Sequence, residues 1–500
     1  MKSHTHPFLL LLSSTVMRSV FAGFIFVGMM IWIAVLLLAS MYAESERVDY
    51  QDRKPEYWQG SIEIAVGPAY QGPWRMNDSE FHFVDDPSLD IAGDGSVALT
   101  WVHQSDKDIY FNWYDGDGLS FGEAVNVSSS PDIFSWLPRV AVSPTNDDHI
   151  FILWQEIIFS GGSHGGEILF ARSTDRGRSF REPVNLSNTT AGAGKGRLTF
   201  LRWDNGSLDL AVDSDGNIYV VWTEYEGKLR ISRSVDNGAS FSDPVTVAGD
   251  DDTPARGPSL AVDPDGIVHL VWTVGEDQAG DIYYTRSVND DRNAETLRFE
   301  DPRAIVETDG HSEAPKMVSD SQGHLHMVHA ESPDGLFQKY HVYYSKMNPN
   351  IAESKNWGEA QQNRTQQSGG NINPANQSLL SGPVRISDPH PGNFESANYP
   401  DLALDAQDNL YVLWELFPDH RTRPQGLGFT ASYNRGRSFT TPLQIPGTSE
   451  TADGHNGSRQ GLLMNKLAVS PNGDISVVNS TFSEGETSTI RLIRGRPNPD

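Results

Sequence analysis

Cysteine is absent from all 500 residues, so the chain can have no disulfide framework, no thiolate metal site and no cysteine nucleophile. Basic residues are scarce: 38 Lys and Arg stand against 66 Asp and Glu, a net charge of -28. Such a surface repels phosphate backbones, and nucleic acid is not expected as a partner. The fifteen histidines show no His-Glu-x-x-His or comparable ligand spacing, and no acidic turn completes a calcium loop. No metal and no cofactor is therefore expected.

Long apolar runs are lacking too, apart from one at 19–43, which carries no charge. That length crosses a bilayer as a helix. Lys2 and Arg18 precede it and Glu44 and Glu46 follow it, which leaves 1–18 in the cytoplasm and the bulk of the chain outside. The expectation is a membrane-anchored extracytoplasmic protein, at the cell surface or in a periplasm; a cleaved signal peptide, giving a secreted domain, is the alternative. Residues 44–58 read as a charged tether. Without disulfides, the exported part must hold together by its core alone.

What the chain has in quantity is turns, with 45 glycines and 29 prolines, and repetition. One phrase recurs: a short apolar strand, an acidic or glycine turn, then an alternating strand ending in Trp or a substitute. It reads SLDIAGDGSVALTW at 88–101, RVAVSPTNDDHIFILW at 139–154, SLDLAVDSDGNIYVVW at 207–222 and SLAVDPDGIVHLVW at 259–272. It returns at 316–329, 401–414 and 466–479. Each phrase predicts two antiparallel strands joined by a hairpin. A third apolar strand follows, then a fourth that usually opens on proline, as in PVNLS from Pro183 and PVTVA from Pro244. Four strands per unit around a ring predict an all-β propeller over 59–500, with seven blades favoured and six as the alternative. The last unit ends before a fourth strand, and SIEIAV at 61–66 is placed to supply it from the other end of the chain. The polar stretch 348–381 reads as a flexible surface insertion.

Between third and fourth strands lies a narrower signature. STDRGRSF (173–180) and SVDNGASF (234–241) match Ser-x-Asp-x-Gly-x-x-Phe, while SYNRGRSF (432–439) carries Asn for Asp and YDGDGLSF (114–121) is a weaker copy. The Asp accepts turn amides, the Gly permits positive φ and the ring packs between sheets. On these motifs the chain resembles the sialidase (neuraminidase) superfamily of Asp-box, or BNR-repeat, β-propellers. The resemblance implies a glycan-active or glycan-binding propeller, an exo-glycosidase being one form. A noncatalytic platform for envelope proteins is the other class that the fold allows.

The resemblance also implies roles for particular residues. Arg256-Gly257-Pro258 resembles the family's clamp-arginine motif, although it falls in the fourth repeat rather than the first. Arg139 and Arg202 lie near other innermost strands, with Arg459 before the last, so a central arginine cluster is expected. Glu224 and Tyr225 would supply a base and nucleophile, and Asp204, Asp250, Asp251 or Asp252 an acid. Trp136, Trp203, Glu415 and His420 lie on loops of the same face and are the expected substrate contacts. Aromatic rings against sugar faces and Arg against a carboxylate are the chemistry of acidic-glycan recognition.

Overall fold

The computed structural model describes residues 57–496, apart from 116–121, 158–165, 190–191, 200–201, 251, 276–278, 289–295, 350–379, 382, 449–453 and 457–464. The anchor at 19–43, most of the tether and most of the 348–381 insertion lie outside the described residues. What is described is a seven-bladed β-propeller. The innermost strands are Val84–Ile91, Ser135–Val142, Leu208–Val212, Ala255–Val262, His311–Ser319, Ser396–Leu404 and Leu467–Val469, one per blade. Blades one to six are each four antiparallel strands in sequence order.

Blade seven closes the ring. Its third strand, Thr487–Arg496, pairs with Ile62–Pro68 from the opposite end of the domain, Ile62 facing Leu492 and Pro68 facing Thr487. Tyr57–Trp58 extends this edge, and Trp58 meets Phe429 of blade six edge-on at 5.3 Å. The fourth strand missing from the last repeat is therefore the one the alternating sequence at 61–66 supplies.

Recurring tryptophans fill the sheets. Trp154, Trp222, Trp272 and Trp414 are fully buried and Trp101 nearly so, in clusters that join neighbouring blades. The Ser-x-Asp-x-Gly turns add a second tie. In blade two Asp175 accepts the Ser179 amide at 3.0 Å, and Phe180 packs edge-on against Phe111 of blade one at 5.3 Å. Phe241 does the same to Phe170, and Phe439 to Tyr344, each at 4.8 Å. Gly177 is needed for two reasons: its φ is +74°, and a Cβ there would come within 2.0 Å of the Phe111 ring.

The first strands also stitch to one another. Asp90 accepts the Val142 amide, Asp209 the Leu260 amide, Ser259 the Met317 amide and Asp401 the Leu467 amide, at 2.8 to 3.2 Å. A side chain of one blade thus caps the backbone of the next. Bonds to a charged acceptor are worth about 1.5–3 kcal/mol each. First strands of all seven blades enclose an axial cavity of about 220 Å³ that includes Asp209, Lys316 and Asp401.

Candidate functional site

Five of the seven first strands break register at one point. Opposite residues skip at Asp85/Ser88, Trp136/Arg139, Arg256/Ser259, Glu313/Lys316 and Asn398/Asp401. In each, a residue at positive φ precedes proline: Asp86, Leu137, Gly257, Ala314 and Tyr399, at φ from 51° to 58°. These are β-bulges, which re-aim the flanking side chains. The residue before each bulge lies at the end of the blade where the interblade loops enter; the residue after it belongs to the axial layer. Arg256-Gly257-Pro258 is therefore one copy of a structural device found in five described blades, and the bulge accounts for its x-Pro part, while the residue in front is Asp85, Trp136, Glu313 or Asn398 in the others.

Arg256 has little room to act as a clamp. It is 3% exposed; its Nη1 lies 3.3 Å from Glu313 Oε2 and its Nη2 2.7 Å from His311 Nε2. His311 Nε2 also lies 3.3 Å from Glu313 Oε2, so the three side chains form one buried cluster. Asn398 Nδ2 donates to the other Glu313 oxygen at 3.1 Å. Burial pushes the Glu313 carboxyl up, but the neighbouring His311 and Arg256 outweigh it and hold it at about 2. The direction favours the ionised form of Glu313, matched by the Arg256 guanidinium.

A ribbon lies against Arg256. Lys195–Thr199 and Arg202–Asn205 form a two-stranded hairpin, where the sequence suggested an irregular interblade loop. Gly196 of that ribbon approaches Arg256 so closely that a Cβ would fall 2.2 Å from the Arg256 Cβ. Arg202, Trp203 and Asp204 belong to this ribbon, and their side chains, like Arg459 and Asp251, lie outside the described residues.

The other expected residues are dispersed. Arg139 is fully buried, donating to the carbonyls of Leu137, Pro138 and Gly206. Glu224 pairs with Arg230 at 3.2 Å, burial raising its carboxyl, while Tyr225 is half-buried beside it in sequence. Asp250 caps its own turn through the Thr253 amide, and Asp252 donates its amide to the same carboxylate. Trp136 is buried among Trp74 and Phe134 and donates to Gln104 at 3.2 Å. Glu415 is fully buried in an ion pair with Lys466.

Among the expected contacts whose side chains are described, His420 lines an open pocket. This cleft, of about 150 Å³ between blades five and six, has Glu313, Gln338, Tyr340, Ser396, Asn398 and His420 as polar groups and Phe337, Tyr399 and Phe417 as rings. Phe337 is 46% exposed and holds φ of +61°, costly for an aromatic residue. Burial, then the Glu313 charge, holds the Tyr340 phenol well above its ordinary range, so it stays protonated. Glu313, Asn398 and Tyr399 were findable in the sequence: Glu313-Ala314-Pro315 and Asn398-Tyr399-Pro400 repeat the spelling around Arg256. Phe337 and Tyr340, on a loop without repeat, gave no signal.

No protein-family model matches the chain, and no curated protein matches it either. Among solved structures it is similar to a protein of unknown function from Dyadobacter fermentans, at 12% identity over 88% of this chain and 100% of that one, TM-score 0.43. A leech intramolecular trans-sialidase is similar at 11% identity, covering 73% and 68% of the two chains, TM-score 0.43. A Hadza microbial sialidase is similar at 11% identity, covering 88% and 95%, TM-score 0.40. At such identities and scores these likenesses do not bear on the chemistry of the cleft.

Proposed function

We propose that this protein is a glycan-binding propeller, held outside the membrane by its N-terminal segment, which receives one terminal sugar in the cleft between blades five and six. The observation that carries this reading is the state of the charges. Glu313 on the cleft wall is matched by Arg256, and beside that pair the cleft presents aromatic rings, a phenol, two side-chain amides and a hydroxyl. Aromatic faces with a few fixed polar groups suit a sugar's apolar face and hydroxyls. The cleft is small beside the usual ligand pocket of about 300–1,000 Å³, which fits a single residue at the end of a glycan.

Hydrolysis finds less support. A retaining glycosidase needs a nucleophile and a carboxylic acid that trades protons. Glu313 is engaged by Arg256, His311 and Asn398, and Tyr340 is held as a neutral phenol, so neither is poised to attack an anomeric carbon or to trade a proton. The full chain, screened against neutral and anionic oligosaccharides, should retain neutral termini, lose them on Phe337→Ala, and release no fluorescent phenol from a sialoside. Sialoside turnover would replace this reading with the exo-glycosidase; no glycan retained at all would replace it with a protein-docking platform.

A further inference from the structure

Away from that cleft, three potential metal ligands converge. His341 opens the third strand of blade five (His341–Met347), and Asp388 and His390 lie on the link from blade five to blade six. One donor atom from each lies within 4.8 Å of the others. His341 Nδ1 is 3.6 Å and His390 Nε2 3.7 Å from Asp388 Oδ1. The two imidazoles stack at 5.2 Å between centroids and 14° between planes.

The nitrogens are the telling atoms. His341 Nδ1 and both ring nitrogens of His390 are buried with no hydrogen-bond partner. Buried polar atoms are nearly always satisfied, and three orphans on two facing rings call for an explanation. Asp388 is held from its other side: Arg385 Nη2 pairs with Oδ2, which leaves Oδ1 turned to the histidines.

We propose that His341, Asp388 and His390 bind one divalent transition-metal ion of the zinc class. Imidazole nitrogens with one carboxylate oxygen favour such an ion over calcium or magnesium, which take oxygen ligands. Around a tetrahedral ion with bonds of about 2.0–2.2 Å, ligand atoms sit roughly 3.3–3.5 Å apart, so the two nitrogen–oxygen distances need contract by only a few tenths of an ångström, and the nitrogens, within 4.8 Å of each other, close by a small rotation of the rings. Asp388 is 32% exposed, which opens the fourth position to water. The ion would pin the blade-five link to its sheet just ahead of Ser396 and Asn398, two residues of the cleft wall. Nothing in this inference depends on glycan binding.

The test uses the full chain, stripped with chelator, dialysed and titrated with zinc chloride alone by calorimetry. One equivalent should bind, Co²⁺ should give the visible absorption of a tetrahedral site, and X-ray absorption should count two imidazoles per ion. His390→Gln should weaken zinc binding by more than about 100-fold, beyond the cost of losing an outer-sphere partner. No stoichiometric zinc binding, or binding unchanged in His390→Gln, overturns the proposal. Should that variant not fold, the wild-type absorption count decides: fewer than two imidazoles overturns it.

Discussion

Replacing Arg256 by leucine removes the cation beside Glu313 and leaves the carboxylate buried. Glu313 stands at about 2 in the fold against an ordinary 4.5. A carboxylate held below its ordinary range by its neighbours contributes stability to the fold. Because the folded value is depressed, the contribution is fully present above about pH 4.5 and is lost as pH falls toward 2. Arg256→Leu should therefore cost about 3–5 kcal/mol at pH 7.5, the range for a broken buried pair and a large part of a typical 5–15 kcal/mol. With the guanidinium gone, the carboxyl rises and takes up a proton in mild acid. The gap between wild type and variant should then narrow by at least about 1 kcal/mol between pH 7.5 and 3.5. Urea midpoints at the two pH values measure both quantities. Adding Glu313→Gln to Arg256→Leu should restore much of the loss at pH 7.5. A variant within about 0.5 kcal/mol of wild type at pH 7.5, or a gap that ignores pH, would refute the account of a matched, charged pair.

Three further outcomes follow from the same geometry. Deleting residues 57–68 removes the strand that closes blade seven on Thr487–Arg496, and should lower the thermal midpoint and expose blade seven to limited proteolysis. Lys466→Met strands the fully buried Glu415 and should cost about 3–5 kcal/mol by denaturant titration, with Lys466→Met/Glu415→Leu partly recovering. Gly177→Ala sets a Cβ against Phe111 at positive φ and should cost about 2–4 kcal/mol, whereas Gly95→Ala, at φ +85° with nothing within 4 Å, should cost only about 1–2 kcal/mol.

The sequence announced the ring because every copy of the phrase states one blade's hairpin in local terms: alternation, a turn, a terminal Trp. The closing strand was legible for the same reason, since 61–66 alternates and the last repeat ends one strand short. Partners of Arg256 were not legible. Glu313 and His311 come from the next blade, and which residue faces which across a blade junction depends on radial packing that no single repeat encodes. The ribbon against Arg256 was hidden because Lys195–Thr199 and Arg202–Asn205 are short and uneven in polarity, and read as loop. His341 and Asp388-Pro389-His390 escaped notice because the spacing rules for ligands describe helices and knuckles, while these meet through a β-strand and a distant link.

The division of labour between hub and rim carries the functional argument one step further. Polar groups at the centre of a propeller invite assignment to catalysis, yet here they are spent on the fold. Asp209 and Asp401 accept backbone amides from the following blades, Lys316 reaches Asn465 of blade seven at 2.8 Å, and Arg139 holds three carbonyls. Each is buried, so removing any one orphans a partner at about 1–3 kcal/mol or more. Phe337 and His420 lie off the axis and are partly exposed, and the contacts of His420 to Arg421 and Asp419 are local in sequence. Substitutions should sort accordingly: Asp209→Ala and Asp401→Ala should lower the urea midpoint, whereas Phe337→Ala and His420→Ala should leave it within about 0.5 kcal/mol of wild type and weaken glycan retention. Loss of retention in a hub variant whose stability is intact would move the site from the cleft to the axis.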